Sequence, residues 1–374
     1  MNMELDSGQL AAQEEFRLFV DRNVAPFADD FDDRGQVSDA LIQALGVGGY
    51  LGANISREFG GRAMDAVTGG LLCEQVGRGS CSLLSLLVVH GMVAHILARW
   101  GTEAQQKEWL PKLASGEILA AFALSEPDVG SDAGGVKTAA VLDNGWFTLN
   151  GTKKWTSFGL RANLYLTFVR CGTRVAALLV DRETPGLWVN PVSAMSGFRA
   201  AQMACLEFKD CRVPESRLIG RVGFGLSHVA GSGLDYGRHG VAWGGVGLAQ
   251  ACLDASLAYA AKRVQFGKPL REHPLIQEML ANMVTHVKAA RALCWQEAYL
   301  RQTANPQMIL EGAVAKYFAS RVAVQAAADA VQIHGANGFS RDYPVARYFR
   351  DAKVLEVIEG SSQIHQMMIA RNAG

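Results

Sequence analysis

Five short stretches of the chain pair chemically able side chains with the glycines and prolines that would expose them. EVIEGSSQIHQ (356–366) sets an acid, Glu359, between the apolar pair Val357 and Ile358 and a Gly-Ser-Ser run. An acid there suits a helix start, where it favours the macrodipole and where Ser361 or Ser362 can cap the final helix. SEPDVGSD (125–132) leaves the apolar run AAFAL as a loop of Pro, Gly, Ser and acids. Such a turn can be only a turn, or can present successive backbone N–H groups to a polar ligand edge or a phosphate. In KKWTSFG (153–159), Trp155 could lie flat on an aromatic ligand while Ser157 hydrogen-bonds it; a half-buried strand end fits the same residues. KRVQFGKPL (262–270) places Arg263 beside Phe266, a pairing that suits a pyrophosphate next to an aromatic ring. Gly267 and Pro269 there are also ordinary stop signals for a helix starting near Tyr236. In QIHGANGF (332–339), Gly335 and Gly338 let a backbone approach something closely, and His334 suits the interior.

Composition narrows the function classes. Lysine plus arginine and aspartate plus glutamate are both 36, so no net field exists to hold nucleic acid or an anionic membrane. The seven cysteines are scattered, without a C-x-x-C pair or a histidine at metal-ligand spacing, which points to a reduced compartment, buried thiols and no metal site. There is no serine nucleophile elbow, Walker loop or strand-linked G-x-G-x-x-G, so hydrolase, NTPase and Rossmann readings lose their support. The acidic opening MNMELDSGQLAAQEEF lacks the features of an export or transit signal, and a cytoplasmic location is expected. LLSLLVVHGMVAHILARW is interrupted by His90, Gly91 and His95 and suits a buried helix better than a bilayer span.

The elements that must position these stretches fall into thirds. With 374 residues, two or three packed units are expected. Residues 1–118 follow a helical period; Thr102 can cap a short helix whose exit Pro111 and Gly116 punctuate. Residues 119–223 change to short runs rich in β-branched and aromatic residues, separated by Asn-Gly, Gly-Thr and Pro-Gly turns, which predicts a middle β domain of sandwich or barrel-like form. Residues 224–374 return to long helices. The run Ile276, Leu280, Met283, Val284, Val287, Ala290, Leu293, Cys294 keeps to one face, as a four-helix bundle requires. The expected fold is therefore mainly α with a central β domain.

In this order and setting, the motifs resemble the acyl-CoA dehydrogenase family of flavoproteins. The resemblance spans nearly the whole chain: REFGG (57–61), GTEAQQKEWLPKLASGE, ALSEPDVGSD, NGTKKW, FKDCRVPESRLIG (208–220), RVQFGKPL, VQIHGANGF, YPVARYFRDAK (343–353) and IEGSSQI. It implies FAD lying between the β domain and the C-terminal helices. Phe122, Leu124, Ser125, Gly130 and Ser131 match the family's flavin loop, and Trp155 and Ser157 the pair beside the flavin ring. Arg263, Gln265 and Phe266, with Gln332, Gly335 and Ala336, match positions that a neighbouring subunit lends to the FAD diphosphate and adenosine; Ser361 and Gln363 match further FAD contacts. Sharing of this kind implies a homodimer or homotetramer.

The resemblance makes Glu359 the base that takes the α-proton of an acyl thioester while FAD accepts the β-hydrogen as hydride. Val357 and Ile358 are expected to desolvate it and raise its pKa. Some branches carry the base before the arginine matching Arg238; here that position is Gly237, so Glu359 has no competitor and Arg238 is expected to orient base or substrate. Ser131, Tyr236, Gly237, Arg238, Ile358 and Gly360 are the expected substrate contacts. Three departures from the family pattern, Ala336 for a glycine, Ile358 for an aromatic residue and Phe122 for a frequent tyrosine, bear on cofactor geometry and acyl-pocket shape. A small or short acyl group is expected, on CoA or, as the short chain without a tail suggests, on an acyl carrier protein, with a partner flavoprotein as electron acceptor. A flavin oxidase or monooxygenase and a non-catalytic scaffold are the alternatives.

Overall fold

The structure, a computed structural model, describes residues 4–372. Its first part is helical: α1 Ser7–Asn23, α2 Ala28–Arg34, α3 Asp39–Val47, α4 Ala66–Gly79, α5 Cys81–Trp100 and α6 Glu103–Ser115. Thr102 caps α6 as expected, and its own backbone N–H donates to the Gln105 side-chain oxygen, which completes a capping box. Pro111 does not end this helix. It lies inside α6, which continues because Trp109, Leu110 and Leu113 bury its inner face, and closes at Gly116 with a left-handed φ of +76°. α5 is apolar on all sides because it is packed on all sides, and His90 within it is satisfied by the Leu113 carbonyl and the Ala120 N–H.

The middle part is one mixed sheet. Its strands are β1 Ala120–Ala123, β2 Ala139–Asp143, β3 Trp146–Thr156, β4 Leu164–Cys171, β5 Arg174–Asp181, β6 Leu187–Pro191, β7 Ala204–Pro214 and β8 Leu218–Ile219. The order is β6-β7-β3-β2-β4-β5-β8, with β1 parallel to β4. Asn144-Gly145 makes the β2–β3 hairpin, both residues at positive φ. The other Asn-Gly pair, 150–151, is not a turn. It sits at an irregularity inside β3, where a Cβ on Gly151 would stand 2.6 Å from the Thr138 Cα.

The last part holds α7 Gly231–Lys262, α8 Pro274–Gln302, α9 Met308–His334, α10 Val345–Val357 and α11 Ser362–Arg371. α7 begins before Tyr236, through a π turn over Gly225–Ala230, and stops at Lys262. Gly267 turns the hairpin between β9 Val264–Gln265 and β10 Lys268–Pro269. Glycines let other elements lie almost against α7: a Cβ on Gly247 would stand 1.9 Å from the Glu74 carbonyl oxygen of α4. On α8, Leu280, Met283, Val287, Ala290 and Cys294 are buried, as the expected stripe requires. The seven cysteines are free, four of them fully buried.

Candidate active site

A cavity of about 1070 Å³ opens between the sheet and the last helices. On the sheet side its wall is the loop after β1. Glu126 anchors that loop: its carboxylate accepts from the backbone N–H of Lys137 at 2.7 Å and of Thr138 at 2.9 Å, and from the Lys153 ammonium at 2.7 Å. Lys153 is fully buried and also donates to the Leu124 carbonyl at 3.1 Å. Burial alone would raise the Glu126 carboxyl, but hydrogen bonds led by those from Lys153 and Thr138 leave it below its ordinary value. Burial likewise draws Lys153 down to about 8, with Glu126 opposing the shift. Held in this way, the loop brings Leu124, Ser125, Gly130 and Ser131 to the cavity, beside Phe122 of β1.

Trp155 and Ser157, at the end of β3, line the same wall. Trp155 adopts a left-handed φ of +65° and remains 48% exposed. The Ser157 hydroxyl meets the weak acceptor Met203 Sδ at 3.6 Å, which leaves its capacity for a stronger partner unused. Across the cavity, the loop at Met195–Phe198 is docked onto α10. Arg350 donates to the Ser196 carbonyl at 2.8 Å, and the Phe198 N–H donates to Asp351 at 2.8 Å.

Glu359 stands in the turn between α10 and α11. It is not the first residue of a helix: α10 ends at Val357, Ser361 is the N-cap of α11, and Glu359 itself takes φ +54° in between. The acid is part of a connection forced into the left-handed region, a conformation that costs a non-glycine residue roughly 1–2 kcal/mol. Its carboxylate faces α7, where a Cβ on Gly237 would lie 2.7 Å from Oε2. The missing side chain at Gly237 therefore makes room for this carboxylate, so two acids at these positions would collide.

Oε2 is buried without a hydrogen-bond partner. Burial pushes the Glu359 carboxyl up to about 7, against the pull of Arg238 and Lys316. Of the two residues expected to desolvate it, Ile358, on the cavity wall, is partly buried and Val357 is not. Val357 is 58% exposed, whereas α7 at Gly237 and Met92, whose Sδ lies 3.0 Å from the same Cβ position, also close on the carboxylate. Arg238 donates from Nε to the Glu359 carbonyl at 3.3 Å.

Phe122, Leu124, Ser125, Gly130, Ser131, Trp155, Ser157, Arg238, Ile358, Glu359, Gly360 and Ser361 are thus gathered on one cavity. The other expected residues lie elsewhere. Tyr236 stacks on His95 with ring centres 5.4 Å apart, because its position on α7 turns it toward α5. Gln363 is exposed on α11. Arg263, Gln265 and Phe266 form the exposed hairpin after α7, where Phe266 is 96% exposed, and Gln332, Gly335 and Ala336 are exposed at the end of α9. Gly338 has a local reason for its type, since a Cβ there would stand 2.8 Å from the Val331 carbonyl oxygen. His334 is an interior histidine, its Nδ1 donating to the Ala330 carbonyl at 2.7 Å.

Sequence reasoning missed the buried Lys316, the Lys153–Glu126 pair and the docking residues Arg350 and Asp351. Lysines in otherwise small, apolar surroundings, as in GAVAKYFAS around Lys316, were the available signal.

The cavity wall has the chemistry of a flavin site: a flat indole, hydroxyls at Ser125, Ser131 and Ser157, and one partnerless buried carboxylate oxygen. Its volume is at the upper end of the ~300–1,000 Å³ common for small-molecule sites. The chain also matches known proteins from end to end. It fits the descriptions Acyl-CoA dehydrogenase N-terminal domain over residues 6–117, middle domain over 121–211 and C-terminal domain over 225–374. An acyl-CoA dehydrogenase of Bacillus subtilis (strain 168) is 36% identical over 375 residues, covering 99% of this chain and 98% of the relative. The structure of butyryl-CoA dehydrogenase from Megasphaera elsdenii superposes with a TM-score of 0.96 at 32% identity, covering 100% of both chains. That of a prolyl acyl carrier protein oxidase superposes at 0.94 with 25% identity, covering 99% of this chain and 100% of the other. With its helical, β and helical parts in the same arrangement, the chain belongs to the acyl-CoA dehydrogenase family, the FAD-using oxidoreductases that act on CH–CH groups.

Proposed function

We propose that the protein dehydrogenates a short acyl thioester between its α and β carbons, with Glu359 as the base. The observation that carries this reading is the buried, partnerless Oε2 of Glu359 on the cavity wall. A carboxylate raised to about 7 is well matched to accepting a weakly acidic proton near neutrality. FAD, when bound, supplies the acceptor for the β-hydride. The chain's own residues do the rest. Leu84, Val88, Val241 and Ile358 offer an apolar wall for the acyl chain, and Arg238 holds the carbonyl of the base. Ser157 has hydrogen-bonding capacity to spare at the flavin side.

The butyryl-CoA and carrier-protein relatives leave two tethers to separate. Anaerobic titration of the FAD-loaded protein with butyryl-CoA and with the butyryl thioester of a carrier protein should bleach the flavin with one of them. Bleaching by neither, or equal bleaching by a long-chain acyl-CoA, overturns the short-acyl reading. Oxygen consumption after reduction distinguishes an oxidase from a dehydrogenase that passes electrons to a partner flavoprotein.

The exposed hairpin at Arg263–Phe266 and the exposed end of α9 support a shared cofactor site in a homo-oligomer, since apolar surface as open as Phe266 favours a covering partner. Arg263→Ala should lower FAD content and shift the protein toward monomer in sedimentation. A variant with full FAD and unchanged mass counts against a shared site.

A further inference from the structure

The Glu359 turn is held by basic side chains that bond to its main chain. Lys316, on α9, is fully buried, and its Nζ donates to the Gly360 carbonyl at 2.8 Å and the Glu356 carbonyl at 3.3 Å. Arg238, on α7, reaches the carbonyl between them, that of Glu359. Burial draws Lys316 down to about 7, with Glu359 opposing the shift. Two basic side chains from the bundle therefore tie down three carbonyls within the segment 356–360, while the carboxylate oxygen Oε2 has no hydrogen-bond partner.

The arrangement solves a conflict. A salt bridge to the Glu359 carboxylate would fix it in place, but would also stabilise its charged form and make it a poorer base. A left-handed glutamate, however, needs outside bonds to stay where it is. Bonding through carbonyls orients the turn and leaves the carboxylate free. A buried ammonium is costly unless its donors are used, so the burial of Lys316 is explained by the carbonyls it meets.

We infer that Lys316 is a positioning residue: its ammonium clamps the carbonyls of Glu356 and Gly360 and so holds Glu359 in the left-handed turn that keeps its carboxylate at the cavity. This rests on Glu359 being the base. The other charged or titratable groups around the turn are accounted for. Arg238 comes from α7; the Glu356 carboxylate is engaged by Lys353 and by Ser362. His365 of α11 is buried against the turn at Gly360, and burial, with the Lys316 and Arg238 charges, holds its pKa down at about 3 against the pull of the Gly360 and Glu359 backbone. It is a neutral wall at neutral pH.

The test compares Lys316→Met, Lys316→Arg and Glu359→Gln, each loaded with FAD and mixed anaerobically with whichever butyryl thioester bleaches the wild type. Lys316→Met should lower the limiting reduction rate about 10–100-fold, the scale of a small misplacement of a reacting group. Substrate affinity should change little, and Lys316→Arg, which keeps charge and donors, should recover part of the rate. Independently, infrared titration of the FAD-free protein should show the protonated carboxyl band that Glu359→Gln removes persisting to higher pH in Lys316→Met, because a cation has gone. A Lys316→Met protein with wild-type rate and an unshifted band, beside an inactive Glu359→Gln, overturns the clamp and leaves the base reading intact. Retained reduction in Glu359→Gln overturns both. If Lys316→Met does not fold, Lys316→Gln is measured in its place, with an intermediate rate expected and a wild-type rate overturning the clamp.

Discussion

Two glutamates line the same cavity and live in opposite surroundings. Glu126 accepts three hydrogen bonds, one of them from a buried lysine, and is held below its ordinary pKa. Glu359 has a buried oxygen with no partner and is raised to about 7. Burial acts on both in the same direction; the donors decide which way each finally moves. A saturated carboxylate is a fastener, and an unsaturated one keeps the basicity that proton abstraction needs.

The largest effect that could break this contrast is chemical. Glu359→Gln should slow flavin reduction by about 10⁴-fold, the upper range for a lost general base, while FAD stays bound. Glu126→Gln should leave the proton-abstracting group in place, so a comparable loss of reduction there, with the loop still folded, would erase the division of roles.

The second contrast is in stability, and its sign differs between the two sites. Removing one partner of a buried pair strands the other, so Glu126→Gln should destabilise the protein by about 3–5 kcal/mol in denaturant unfolding at neutral pH. A carboxyl held below its ordinary value stabilises the fold above its unfolded pKa, and that contribution disappears as the pH falls through the folded value. Glu359 has the reverse sign. Its folded value exceeds the unfolded one, so the fold loses stability as the pH rises from about 4.5 to about 7. Glu359→Gln should therefore be more stable than wild type above neutrality, by about 3 kcal/mol at most, and indistinguishable from it in acid. Unfolding curves of both variants across this range check the pair of signs; a Glu359→Gln protein less stable than wild type at alkaline pH would mean that its carboxylate is paired after all.

Much of the fold was legible because its signals are local. The helical period, the Thr102 cap and the Asn144-Gly145 hairpin each depend on residues a few positions apart. Pro111 misled for the same reason. A proline usually ends a helix, but buried neighbours on α6 override that preference. The site was legible as motifs, yet Lys316 was not. It lies 43 residues before Glu359, and nothing in its own stretch indicates which carbonyls it will meet.

The sequence by itself determined the helical, β and helical thirds, the loop and turn residues of the cavity and the presence of an acid at 359. Only the tertiary structure decided what that acid became. Its pKa depends on what surrounds the carboxylate, and the surroundings come from α5, α7 and α9: the Met92 side chain, the empty Cβ position of Gly237, and two cations that bond to the turn through its backbone. Desolvation and orientation are properties of contacts between distant segments, and such contacts exist only once the chain has folded.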